Sequence, residues 1–315
     1  MRNEFTPPDG PTAYLFPGQG SHSAGMLDLL REAPCFAEHY QRVCALLSGD
    51  PLAIARRDPS FINRNVVSSL LTVLASVACL ELIGDRSPSL RPAAVAGYSV
   101  GQWTALYAGG SISVDDLFSI VAERARLMDL CVAGAQSSGM LAVIGLRAAD
   151  VEAICNEVAV HGGFLQITNY NAPGQYTLGG SETSLEFAVK HLAPLGPKKL
   201  FRLPVAAAWH SRLLVEAEER LAVLLKRIPI TAPRIPVIDN TTGGWLPEDP
   251  CERSAALARQ VACPVHWMQG VHTMAKFGIL NTIEVGYGDM LTKFNFFIDR
   301  SLRHQSAVPL PRDRN

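Results

Sequence analysis

Ser99 stands between two glycines in Gly97-Tyr98-Ser99-Val100-Gly101, after the small-residue run AAVAG and before QWTALYAGG. A G-x-S-x-G stretch between a strand and a helix is the pattern of a nucleophile elbow. Its glycines relieve the crowding of a sharp turn that projects the serine above a sheet. An ordinary strand-to-helix loop uses the same residue types, so the pattern gains meaning only with a base to activate the hydroxyl.

His210 in LPVAAAWHSRLL is the candidate base among eight histidines, because it ends a strand and an Ala-rich link and opens a helix. A lone histidine is as readily structural as catalytic. His39, His161, His191 and His304 sit in polar stretches and read as surface residues. His266 and His272 lie six apart in a helical segment, poor spacing for a shared metal, and the sequence gives no metal site.

Arg124 enters through periodicity. In SVDDLFSIVAERARLMD, Ser113 is placed to cap a helix whose first turn carries Asp115 and Asp116, where the helix dipole favours acids. Leu117, Val121 and Met128 fall on one stripe, and Arg124 lies on it. An arginine on an apolar face wants an anion. An internal carboxylate could supply it, the side chain could snorkel to solvent, or a substrate carboxylate could occupy the two-pronged guanidinium.

Around these residues the chain alternates strand-like and helix-like segments. AYLFPG (13–18), AAVAGYS (93–99), IPVIDN (235–240) and ILNTIEVG (279–286) are short apolar runs ended by Gly, Asn or Pro, as buried parallel strands are. Between 133 and 204 the rhythm changes. GMLAVIGL, ADVEAICNEVA, FLQITNYN, the turn APGQ, YTLGGS, ETSLEFAVKHLAPLG and KKLFRLPV follow in the order β-α-β-β-α-β. The expected architecture is an α/β parallel-sheet large domain (1–132 and 205–315), discontinuous because a ferredoxin-like subdomain (133–204) is inserted in it.

Composition narrows the function classes. A net charge of −1 over 315 residues gives no overall basic footprint, so neither nucleic acid nor an anionic membrane is an expected partner. Val66 to Leu80 is an uncharged, largely apolar run, short of the roughly 20 residues of a spanning helix, and reads as a buried helix. The N-terminus lacks a secretory pattern. Seven cysteines without a C-x-x-C pair fit reduced thiols in a cytoplasmic protein. Phe294, Phe296 and Phe297 are either core or a partner surface.

Taken together, the chain resembles the malonyl-CoA:acyl-carrier-protein transacylases, including the stand-alone acyltransferases that serve polyketide synthases. The resemblance rests on Phe16-Pro17-Gly18-Gln19-Gly20-Ser21, the Ser99 elbow, Arg124-Ala125-Arg126-Leu127-Met128, Asn169-Tyr170-Asn171-Ala172-Pro173-Gly174-Gln175, Trp209-His210-Ser211 and Glu284-Val285-Gly286-Tyr287-Gly288. It implies a hydrolase-like α/β domain with a ferredoxin-like insert and a ping-pong reaction. In that reaction Ser99 takes an acyl group from CoA, His210 moves the proton, and the phosphopantetheine thiol of an acyl carrier protein accepts the acyl group. Gln260 matches the family residue whose main-chain carbonyl orients the histidine. Val100 and Gln19 supply oxyanion N–H groups, and Arg124 holds the free carboxylate of malonyl. Tyr98, Trp209, Met128, Asn169 and Asn171 are expected to shape the acyl pocket. No metal or cofactor is implied beyond the CoA thioester and the partner's phosphopantetheine; acyl-CoA, a carrier protein and a polyketide synthase are the expected partners.

The sequence departs from the family in places. Tyr98 and Gln102 replace the usual His and acid of the elbow, Trp209 replaces Phe before the catalytic histidine, and His22 and Tyr287 replace Gln and Pro. These changes leave open a substituted malonyl group, transfer between two carrier proteins, a transacylase subunit of malonate decarboxylase, a carrier-protein thioester hydrolase, or a non-catalytic docking module.

Overall fold

The computed structural model describes residues 8–20, 26–134 and 137–307. Ser21 and His22 lie outside the described residues, as do the chain ends of the expected large domain. Eight strands occur among the described residues: β1 (Thr12–Phe16), β2 (Ala94–Gly97), β3 (Ser138–Ile144), β4 (Leu165–Ala172), β5 (Gln175–Ser181), β6 (Lys199–Arg202), β7 (Asn281–Glu284) and β8 (Arg303–Ser306).

The large sheet has the order β2-β1-β7-β8 with every pairing parallel. β1, β2 and β7 are buried at every position, because helices cover both faces and leave no polar side for alternation. The register Phe16↔Gly97 makes Pro17 and Tyr98 leave the sheet side by side. The two loops that follow β1 and β2 therefore emerge together at the carboxyl ends of the strands, where open parallel sheets place ligands.

The segment 235–240, expected as a further parallel strand, is not one. It touches β2 through a single parallel bridge, Val95↔Val237. Pro236 has no N–H to donate, so it serves there only as an acceptor for Val95 N–H, and the ladder ends early. The chain then turns at Asp239–Thr242, where the Asp239 carboxylate accepts from Thr241 and Thr242.

The second sheet is antiparallel, in the order β4-β5-β3-β6. The helices Ala148–Val160 and Glu182–Leu192 cross between its strands, the split βαβ arrangement. Its strands and helices run from Ser138 to Arg202, and β6 is shorter than the 198–205 run suggested. Its own core includes Leu141, Val143, Ile167, Leu178 and Leu185. The edge strand β4 is tied to the large domain, with Tyr170 N–H donating to Val265 O and Val265 N–H to Thr168 O, both at 2.9 Å.

Two helices back the site. Asn65–Arg86 continues past the uncharged run because Glu81, Asp85 and Arg86 fall at its accessible end. At 22 residues it is long and apolar enough to cross a membrane, but the apolar window is 83% buried inside the protein, so it is accounted for as a core helix. Val114–Val132 is capped by Ser113, whose Oγ accepts from Asp116 N–H at 3.0 Å. His39 is also corrected. It is buried rather than superficial, and its ring sits 2.8 Å from Glu81 Oε1 and 3.2 Å from Arg42 Nη1.

Candidate active site

Ser99 occupies the left-handed region, with φ of 53°, the strained backbone expected of an elbow and costly for a residue other than glycine. The flanking glycines are required by close approach. A Cβ on Gly97 would come within 2.0 Å of the Gly101 backbone, and one on Gly101 within 2.2 Å of Phe16 O. The glycines thus let the outgoing helix Gly101–Ala108 start directly over β1 and β2.

Ser99 Oγ lies 2.6 Å from His210 Nε2. His210 Nδ1 lies 2.8 Å from the main-chain carbonyl of Gln260. A carbonyl can only accept, so Nδ1 carries the proton and Nε2 presents its lone pair to the serine hydroxyl. His210 is itself in the left-handed region, with φ of 57°, and is 3% exposed. Burial first, and the Arg124 cation second, push its pKa down to about 3, so the ring is neutral and able to accept a proton near neutral pH.

Arg124 is 1% exposed. Its Nε donates to Gln260 Oε1 at 3.1 Å, while Nη1 and Nη2 are buried with no hydrogen-bond partner. Burial lowers its pKa to about 10. Among the described residues no carboxylate pairs with it, and the side chain does not reach solvent, which leaves half of a guanidinium fork open to an anion. Met128, one turn along the same helix, is on the wall of the adjacent cavity, and its unbranched side chain can shift to admit a ligand to the guanidinium.

That cavity, of about 640 Å³, lies between the two sheets with Ser99 and His210 on its wall. Met140, Phe201, Leu203, Trp209 and Phe294 give it an apolar side. Gln19, Asn169 and Asn171 give it polar points, an amphipathic lining suited to a small thioester on a flexible arm. Phe296 and Phe297 are about half exposed, whereas Phe294 is partly buried against Tyr98.

Tyr98 lines the same cavity, and its hydroxyl is engaged by the insert. Its hydroxyl donates to Asn171 Oδ1 at 2.7 Å and accepts from Asn169 Nδ2 at 2.8 Å. The elbow is thereby fastened to β4 by a side chain engaged in both directions. Gln19 follows Gly18, at which a Cβ would sit 3.4 Å from that of Ser99. The Gln19 side chain is fixed by Ser68 Oγ at 2.7 Å and Asn65 Oδ1 at 3.0 Å. Val100, fully buried, is the N-cap of the helix that follows the serine, where main-chain N–H groups have no internal partner. Sequence reasoning missed Asn240, and met Gln102 only as a departure from the family's elbow; both lie beneath it. Asn240 Nδ2 donates to Gln102 Oε1 at 2.7 Å, and Asn240 Oδ1 accepts from Ser99 N–H at 2.9 Å. No local signal marks Asn240, because its elbow partners are remote in the chain.

The model of the family described as acyl transferase domain matches residues 13–292. A malonyl CoA-acyl carrier protein transacylase of Haemophilus influenzae is 34% identical over 89% of both chains. An acyl-carrier-protein S-malonyltransferase of Burkholderia pseudomallei superposes with a TM-score of 0.88, at 32% identity, covering 95% of this chain and 96% of that one. A malonyl-transacylase solved in complex with the acyl-carrier protein of a type II polyketide synthase superposes with a TM-score of 0.86, at 29% identity over 94% and 95%.

Proposed function

The chain belongs to the acyl transferase family, and from that premise we propose that it carries a malonyl group from CoA to the phosphopantetheine thiol of an acyl carrier protein through an acyl-serine on Ser99. The observation that carries this reading is a hydrogen-bonded Ser99–His210 pair beside a buried arginine with two unpartnered nitrogens. The named activity of the relatives supports the malonyl donor and the carrier acceptor. A clamp for a carboxylate favours malonyl over a plain acyl group, and an editing hydrolase would gain nothing from it.

In this reading His210 Nε2 takes the Ser99 proton as Oγ attacks the thioester carbonyl. The negative charge that develops on the carbonyl oxygen is met by the N–H groups of Val100 and Gln19. Collapse expels the CoA thiolate, which takes the proton from His210. The pantetheine thiol of the carrier then repeats the sequence in reverse, giving its proton to His210 and attacking the acyl-serine. Both half-reactions need a neutral histidine in one tautomer, and the Gln260 carbonyl selects it. The chemistry needs no metal and no cofactor beyond the carrier's own arm. Cytoplasmic residence is part of the proposal, supported by seven free thiols, as a reducing compartment keeps them.

Intact-protein mass spectrometry after brief incubation with acetyl-, malonyl- and methylmalonyl-CoA tests it. A malonyl adduct on the native chain, absent in Ser99→Ala, is expected; an unmodified native chain with every donor, including malonyl on a carrier protein, overturns the reading.

A further inference from the structure

What holds Ser99 in a conformation that its own backbone disfavours is a set of carboxamides, and one of them touches more of the elbow than any other. Asn240 Oδ1 accepts the N–H of Ser99 at 2.9 Å, and Asn240 Nδ2 donates to Gly97 O at 2.5 Å, two residues earlier. The Asn240 N–H donates to Gln102 Oε1 at 3.1 Å, and the Asn240 carbonyl accepts from His266 N–H at 2.8 Å. The residue is 3% exposed, with its main chain and side chain both engaged. Gln260 completes the arrangement, with Nε2 donating to Ser99 O at 2.6 Å.

The fold explains why Asn240 arrives there. The bridge Val95↔Val237 sets the chain beside β2 in parallel, so Asn240 leaves that edge at the same end as Ser99. The short bridge is otherwise a poor strand; its effect is to deliver one amide side chain under the turn.

We propose that Asn240 is the positioning residue of the nucleophile elbow: by engaging the Ser99 N–H and the Gly97 carbonyl together it fixes the two peptide planes that flank Tyr98, while the Gln260 amide on Ser99 O holds the plane that follows. That decides which amide faces the substrate. With the Ser99 N–H committed to Asn240, the next N–H in the chain, that of Val100, is the one directed to the oxyanion. Asn240 touches neither substrate nor reacting atoms, and it acts through the serine. The inference rests on the reading of Ser99 as the nucleophile.

The test compares Asn240→Ala with Val237→Ala, which weakens the same segment and keeps the amide contacts. Two reactions are followed by intact mass: acylation by malonyl-CoA, and sulfonylation by phenylmethylsulfonyl fluoride, which needs an activated serine but no carboxylate clamp. The expected result is a fall of roughly 10²-fold in both rates for Asn240→Ala, with CoA affinity within threefold of native. Val237→Ala should lower the melting temperature and leave both rates within threefold. Rates within threefold of native in Asn240→Ala, or equal losses in the two variants, overturn the inference. If the native chain is sulfonylated on Ser99 but takes no malonyl, the substrate reading fails while the sulfonylation ratio still decides the role of Asn240.

Discussion

At the scale of single residues the site turns on two groups whose environments oppose their charges. His210 is held far below the ordinary histidine pKa near 6.5 by burial and by Arg124. A carboxylate seated on Arg124 cancels the second of these effects, so the base should titrate at higher pH in the complex than in the free enzyme. Because kcat/KM reports the free enzyme and kcat the complex, the acid limb of kcat is expected above that of kcat/KM for malonyl-CoA; coincident limbs would show that the guanidinium does not meet the substrate. Replacing Arg124 by Ala should cost the charge-assisted contacts of one carboxylate, about 1.5–3 kcal/mol or roughly 10- to 10²-fold in acylation by malonyl-CoA. Acetyl-CoA, tested in the same assay, should lose far less, since it forfeits only the support that Arg124 gives Gln260. Arg124 was legible in the sequence because its spacing put a cation on an apolar stripe. Asn240 was not, since its contacts with the elbow lie more than a hundred residues away and an asparagine ending an apolar run is an unremarked turn residue.

At the scale of elements, the elbow is the unit that the sequence announces and the structure explains by distance. Gly101→Ala would drive a methyl to 2.2 Å from Phe16 O, a backbone atom that cannot retreat without separating the helix from β1. A loss of more than about 3 kcal/mol is expected, read as a collapse of soluble yield or of the denaturant midpoint. Tyr98→Phe tests the other attachment. It strands Asn169 Nδ2 and Asn171 Oδ1 without the hydroxyl they share, at a cost of about 1–3 kcal/mol. Hydrogen exchange should rise in β4, and a pattern unchanged from native would show that the Val265 bridge alone holds that edge. Strand and helix order in the inserted sheet could be read from periodicity, and so could the helix that carries Arg124. The 235–240 run deceived because apolar composition does not reveal that a proline spends one ladder position without a donor. His39 deceived in the opposite sense, its polar neighbours in sequence facing outward while its ring turns in toward Glu81.

At the scale of the whole molecule, acid stability follows from the same buried histidine. A folded-state pKa near 3 against an unfolded value near 6.5 means that the unfolded chain binds the extra proton first. Its contribution is complete above pH 6.5 and is lost progressively as the pH falls toward 3. Glu284 works the other way, because burial raises its carboxyl pKa and acid relieves that penalty. The difference between native and His210→Gln isolates the histidine: the native melting temperature should fall, relative to the variant, between pH 7 and pH 4, whereas parallel curves would mean that the ring protonates in place. The pairing of β1 with β7 carries a last consequence. Residues 12–15 find β2 on one edge at 94–96 but their second neighbour only at 281–284, whereas the antiparallel sheet closes within 138–202. On a ribosome the inserted sheet can form before residues 281–284 emerge, while β1 stays open along one edge until they do. Until then β1 lies exposed to holdase chaperones and to neighbouring chains, and the loop that bears Gln19 is anchored on both sides only once β7 is made.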